Sequence, residues 1–227
     1  MSDLDDTPIL ALDTSTDACS VAVAWRGTVH RALEVIPRGH AGRILDMAAT
    51  VLGRHGLRPG DAGLVAWCCG PGAFTGVRIA ASAVQGIAWG AGAPVVGVST
   101  LAVLAQGAFR RDAATRVASA LDARMGQVYW GGYERDAGTG LMVSVLADRV
   151  GAPGAMPAFA GALGAGSGWE TYPEALAAAC GAPVTVDPGA VPDAQDLIPF
   201  ARRALADGTT VAAAEAVPVY LRDRVTA

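Results

Sequence analysis

Apolar positions along the chain recur with two periods, and the switches between them mark out the elements. Residues 9–13 (ILALD) form a short apolar run that ends in Asp13-Thr14-Ser15-Thr16. Residues 20–25 and 28–35 are further strand-like runs, joined by an Arg26-Gly27 turn, so the chain opens as an antiparallel meander. Helical spacing takes over at 41–55. Residues 64–69 are then apolar without interruption between turn residues, which suits a strand buried on both faces. Gly70-Pro71-Gly72, a helix over 75–89, Pro94 and an apolar run at 95–98 complete a βαβ crossover, which favours a parallel pairing.

The two helices carry more apolar surface than one sheet face needs. On 41–55 the polar stripe is Arg43, Asp46, Thr50 and Arg54, and the apolar arc runs through Ile44, Leu45, Met47, Ala48, Val51 and Leu52. On 75–89 the polar stripe is Arg78, Ser82, Gln85 and Trp89, and every other position from 77 to 88 is apolar or Gly. The pattern predicts that Leu45, Ala48 and Leu52 face the sheet and leave Ile44, Met47 and Val51 on the flank. On the second helix Ala80, Ala83, Val84 and Ile87 turn inward, leaving Ile79, Ser82 and Gly86 beside that flank. Two such helices can receive two more from another subunit as a four-helix bundle. The alternative cover is a helix of this same chain at 194–206.

Polarity rises around Arg110-Arg111-Asp112, which places one lobe at 1–107 and a second at 108–227, with the C-terminal helix free to pack back on the first. An echo follows. Residues 117–122 read VASALD, and 127–133 form a second strand before a charged turn, repeating the layout of ILALD and the strand after it. Asp13 and Asp122 therefore occupy equivalent corners of two related lobes. Strands are also predicted at 141–146 and 184–186 and short helices at 172–180 and 194–206, while 137–168 is rich in Gly, Ala and Pro and carries little period.

Composition narrows the chemistry. The net charge is −4 and all 17 basic residues are Arg, so lysine-based Schiff-base, Walker and kinase chemistry is excluded. No basic stripe suggests nucleic-acid binding by this chain alone. Apolar residues make up 52% and charged ones 17%, with a mean hydropathy of +0.36, which leaves apolar surface for a protein partner. Cys19, Cys68, Cys69 and Cys180 form no CxxC pair and read as buried thiols in a reducing cytoplasm; His30, His40 and His55 form no metal-binding pair. The acidic start, MSDLDDTP, does not read as a secretory signal, and no apolar run reaches membrane-spanning length without Gly or Pro.

Two readings stand for the corners. Asp13, Thr14, Gly70, Gly72 and Asp122 can line a nucleotide cleft, with glycine N–H groups near a phosphate. Yet Gly76 is followed by Val77-Arg78 where a P-loop needs Lys, and Thr75 occupies a dinucleotide-motif glycine position. Alternatively the glycines allow a helix to sit close to a strand, and each Asp caps its turn by accepting nearby backbone N–H groups. As caps, Asp→Asn at either would lower stability by roughly 0.5–2 kcal/mol.

Four stretches, ILALDTST at 9–16, GPGAFTGVRIA at 70–80, LDARMGQVYW at 121–130 and PVYLRDRV at 218–225, resemble the bacterial tRNA threonylcarbamoyladenosine biosynthesis family TsaB, also called YeaZ. The resemblance implies an α/β fold of the actin, sugar-kinase and heat-shock-chaperone type (ribonuclease H-like), with duplicated mixed-sheet lobes. It also implies a cytoplasmic, non-catalytic subunit that pairs with the catalytic TsaD, is joined by the ATPase TsaE, and meets tRNA only within that complex. ATP and metal are then expected on the partner subunits and no cofactor here. The same helical surface could serve a homodimer. The departure from ATP-using relatives is the first Asp loop, Asp13-Thr14-Ser15-Thr16, which has no Gly before Gly27. The rival readings are an ATP-dependent kinase or transferase using Asp13 and Asp122, and a metallopeptidase, for which HxxxH and HExxH are both missing.

Overall fold

The computed structural model describes residues 6–181, 183 and 185–222. The readings that involve the first five residues, Val184 and Arg224 lie outside the described residues. Two compact units divide the chain, Met1–Ser99 with Pro192–Val219, and Thr100–Val191 with Tyr220–Ala227.

In the first unit β1 (Ile9–Asp13), β2 (Ala18–Trp25), β3 (Thr28–Val35), β4 (Leu64–Gly70) and β5 (Val95–Ser99) form one sheet in the order β3-β2-β1-β4-β5. The meander pairs antiparallel, while β1–β4 and β4–β5 pair parallel, as the crossover requires. The β2–β3 turn puts both Arg26 and Gly27 at positive φ, the conformation that matches hairpin twist. Period-2 alternation then sorts the strands. Leu10, Leu12, Val21, Val23, Val65 and Trp67 form one core with α1 (His40–Gly53) and α2 (Phe74–Ala91). The opposite face carries Ser20, bound to the backbone of Ala194 and to Asp193 at the start of a 3-10 turn (Ala194–Leu197). α6 (Ile198–Asp207), which follows that turn, packs against β1, β4 and β5.

The second unit repeats the layout. Its sheet, in the order β10-β9-β6-β7-β8, is built from β6 (Arg116–Arg124), β7 (Gln127–Arg135), β8 (Met142–Gly151), β9 (Leu163–Ala165) and β10 (Thr185–Asp187). Pairing is antiparallel for β6–β7 and β7–β8 and parallel for β6–β9 and β9–β10, the same sequence of senses as in the first sheet. The fold is thus a duplicated mixed-sheet α/β fold.

α3 (Thr100–Asp112) covers one face of this sheet, where Ser119 Oγ donates to Leu101 O at 2.9 Å. α4 (Ser167–Thr171) and α5 (Pro173–Cys180) cover the other, where Trp169 Nε1 donates to Ala118 O at 2.9 Å. The division between units therefore falls before α3 and not at residue 107. α3 goes with the second sheet because its side chains from Thr100 to Ala108 are all buried, against β6 to β9.

Candidate functional site

Three places in the structure carry the residues singled out by the sequence. The first is the corner at the end of β1. Asp13, Thr14 and Ser15 are each 0% exposed. Asp13 Oδ1 accepts the Ser15 N–H at 3.0 Å, a turn cap closed on its own loop. Thr14 Oγ1 donates to Gly76 O at 2.7 Å, and the Ala73 N–H donates to Ser15 O, also at 2.7 Å. The loop is thereby tied to the first turn of α2.

Glycines make that contact possible. A Cβ on Gly72 would lie 2.3 Å from Ser15 O, one on Gly76 2.0 Å from Thr14 O, and one on Gly70, at φ +116°, 2.5 Å from Val219 O. The Val219 N–H in turn donates to Cys69 O at 2.7 Å. The space that glycines could open for a phosphate is taken by this chain's own carbonyl oxygens. Sequence patterning gave no sign of Val219 there.

Burial raises the Asp13 pKa to about 6, against smaller opposing effects of Ser15, the Cys68 thiol and the charge of His40. Asp13 Oδ2, Ser15 Oγ and His40 Nε2 are buried without a hydrogen-bond partner among the described residues.

The second place is the β6–β7 hairpin. Asp122 Oδ1 accepts the Arg124 N–H at 2.8 Å, and Oδ2 pairs with the Arg124 guanidinium at 3.0 Å. Arg124 and Met125 both adopt positive φ, as does Gly126. Arg222 braces the tip, donating to Ala123 O at 3.1 Å and to Gln127 Oε1 at 2.6 Å. Both aspartates are thus caps that receive the N–H two residues on. Asp122 is engaged within its own hairpin, while half of the Asp13 carboxyl is left over.

The third place is the outward side of α1 and α2. The structure corrects the rotation expected of α1. Ile44, Met47 and Val51, expected on the flank for a partner, are 1%, 4% and 0% exposed inside the lobe's own core, whereas Leu45, expected against the sheet, is 54% exposed. The reason is that α1 packs both on β2 and on α2. That double contact uses Ile44, Met47, Ala48, Val51 and Leu52 and leaves Leu45 turned outward.

On α2, Ile79 is half-buried and Ser82 and Gly86 are exposed. Trp89 is 77% exposed, and Phe74 is exposed with the Arg78 guanidinium 3.5 Å above its ring. On the far edge of α2, Gln85 Nε2 donates to Ala216 O at 3.0 Å, so the C-terminal stretch covers that side. α6 lies on the other face of the sheet and leaves the outward side open.

Among the described residues no three His, Cys, Asp or Glu side chains are grouped to hold a metal ion, and no helix is long and apolar enough to cross a membrane.

Comparisons with known proteins agree with one another. A family model described as TsaD, tRNA N6-adenosine threonylcarbamoyltransferase, matches residues 34–160. The chain is 43% identical over 222 residues to the tRNA threonylcarbamoyladenosine biosynthesis protein TsaB of Escherichia coli (strain K12), covering 96% of this chain and 95% of that protein. It is 35% identical over 232 residues to the protein of the same description from Haemophilus influenzae, with 98% and 97% covered. Among solved structures, YeaZ from Pseudomonas aeruginosa superposes with a TM-score of 0.88 at 43% identity, over 95% of this chain and all of that one.

Proposed function

This chain belongs to the TsaB family of tRNA threonylcarbamoyladenosine biosynthesis proteins, and from that premise we propose that it is a non-catalytic, partner-binding subunit of the tRNA-modifying assembly. Its partner is the catalytic relative TsaD, which it supports while the ATPase TsaE and the tRNA join the complex. The observation that carries this reading is the outward side of α1 and α2. It exposes Leu45 and Trp89 beside small residues, Ser82 and Gly86, which allow close helix approach.

The family model for TsaD matches residues 34–160, a stretch that contains both helices. A partner of the same ancestry presents a corresponding pair of helices, so the two can meet as near-equivalent surfaces, much as two copies meet across a twofold axis. A homodimer of this chain can use the same face when the partner is absent. With Ile44, Met47 and Val51 inside the core, the face consists of Leu45, Ile79, Ser82, Gly86 and Trp89.

The rival reading, an ATP-dependent kinase or transferase working through Asp13 and Asp122, is weakened by the first corner. Asp13 is fully buried, and the space that a Cβ would take at Gly72 and Gly76 is filled by Ser15 O and Thr14 O, so the chain's own carbonyl oxygens stand where a phosphate would approach these glycines. The test is reconstitution. Tagged chain is mixed with the TsaD homologue from the same source, and modification of tRNA is assayed with each subunit omitted in turn. The reading expects co-purification, and no modification by this chain, tRNA and threonylcarbamoyl-adenylate alone. Substantial modification without TsaD refutes the non-catalytic role, and micromolar ATP binding by the isolated chain favours the kinase reading.

A further inference from the structure

The β1 corner contains an acid that makes no ion pair among the described residues. Asp13 is 0% exposed, its Oδ1 takes one backbone N–H from Ser15, and its Oδ2 makes no hydrogen bond of ordinary geometry among the described residues, with the Ser15 hydroxyl and the Cys68 thiol the donors nearest in effect. Ser15 Oγ, in the same loop and fully buried, is also unpartnered. An ionised carboxylate in such a place needs a cation or several donors, whereas a carboxylic acid needs one acceptor for its O–H. A serine hydroxyl supplies that acceptor.

The groups facing the corner come from every side. Cys68 stands on β4 and Cys19 on β2, the latter with a thiol pushed up to about 11 by burial and by the nearness of Asp13. His40, the first residue of α1, acts on Asp13 through its charge. Ser20 is the cross-strand partner of Asp13, and beyond it lies Asp193, itself held by Gln195, by Ser20 and by Arg31 at 3.3 Å. The first turn of α2 contributes no acidic side chain, and its Arg78 is exposed over Phe74.

We propose that this corner is a proton-operated latch: protonated Asp13 shares its O–H with Ser15 Oγ and tightens the β1–β2 loop on the first turn of α2, and loss of that proton loosens it. The loop and the helix are joined there by Thr14 Oγ1 to Gly76 O and by Ala73 N–H to Ser15 O, so charge on Asp13 bears directly on a seam of the first unit. The latch is independent of which partner covers α1 and α2.

Because burial raises the folded-state pKa above 3.8, to about 6, the acid form is favoured by folding. Its stabilisation is complete below the unfolded value and is lost as pH rises through the folded one. The folding equilibrium constant should fall roughly a hundredfold between about pH 4 and pH 7 on account of this group. Asp13→Asn keeps the oxygen that caps Ser15 and places N–H where the acid proton sat, so it imitates the closed latch.

Urea unfolding of both proteins from pH 4 to pH 7.5 should show Asp13→Asn gaining on the wild type across that range, with the two converging at the acid end. Carbon-13 spectra of the aspartate carboxyls, with Asp13 assigned by difference from the variant, should place its midpoint near 6. A midpoint near 4, or a stability difference that does not change with pH, overturns the latch. If Asp13→Asn fails to fold, the carboxyl midpoint in wild type, assigned through bonds, decides alone. A shift of the Asp13 resonance on adding Mg²⁺ at pH 7 would instead identify a cation site and equally overturn it.

Discussion

Gly76→Ala tests the packing of the β1–β2 loop on α2 most directly. In an exposed helix interior, Gly→Ala normally raises stability by roughly 0.5–1 kcal/mol, because alanine loses less backbone freedom on folding. At Gly76 the added methyl would stand 2.0 Å from Thr14 O, where an ordinary contact is 3.4 Å or more, so loop and helix must part by over an ångström. That movement breaks the Thr14 Oγ1–Gly76 O and Ala73 N–Ser15 O hydrogen bonds, both at 2.7 Å. Each contributes about 1 kcal/mol when made, and a buried group left unpaired costs about 1–3 kcal/mol. Set against the helix gain, the net loss is about 2–4 kcal/mol. Gly86 in the same helix is the control, since a Cβ there meets nothing within 4 Å. Urea unfolding followed by circular dichroism gives both numbers, with Gly86→Ala expected to gain roughly 0.5–1 kcal/mol. Equal stability of Gly76→Ala and wild type would refute the argument that these glycines exist to admit the chain's own backbone.

Val51→Arg buries an unpaired charge in the core and should unfold the first unit, whereas Leu45→Arg should melt normally yet lose co-purification with the TsaD homologue. Undiminished binding by Leu45→Arg would refute the proposed face. Asp122→Asn keeps the cap on Arg124 N and loses only the charge of a pair whose arginine is largely exposed, so its cost should stay below about 1 kcal/mol by denaturation, with reconstituted activity intact. Arg222→Ala removes the three contacts of Arg222 to the β6–β7 tip, at Ala123 O, Met125 Sδ and Gln127 Oε1, and should speed amide exchange at residues 124–127 while leaving β6 protected; unchanged exchange at the tip would show that the tail carries no load there.

Much of the fold was legible because it is local or repeated. The echo of ILALD in SALD anticipates two sheets with the same order of senses, and both aspartates do cap the N–H two residues on. α3 escaped detection because Thr100 to Ala108 is buried all round, and a helix without a polar face has no amphipathic period to detect. β9 and α4 lie in the Gly- and Ala-rich stretch, where Gly168 approaches Ala120 so closely that a Cβ would fall 2.9 Å from it. Small residues of that kind are chosen for clearance, not for hydrophobic contrast. On α1 the spacing marks out an apolar arc, but Leu45 within it faces outward and Ile44, Met47 and Val51 face the core. Which edge turns outward depends on α2 standing beside it, a fact of tertiary packing that the periodicity of one helix does not contain.

Asp13 shows where reading from residue type inverts. The sequence reading of both aspartates as caps has Asp→Asn costing stability. Here the carboxyl is wholly buried, one oxygen is unpartnered, and its pKa is raised to about 6, so near neutral pH the charge is a burden of up to about 3 kcal/mol that asparagine does not carry. The sign turns on burial, and burial is set by residues far along the chain, Gly72 and Gly76, whose missing side chains let the α2 turn close over Ser15 and Thr14. The same closure accounts for the first loop having no glycine of its own. A loop that cradles a phosphate needs bare backbone facing outward, whereas this loop presents its carbonyls to another loop's glycines. In the first unit Leu45 on α1 and Trp89 on α2 stand exposed.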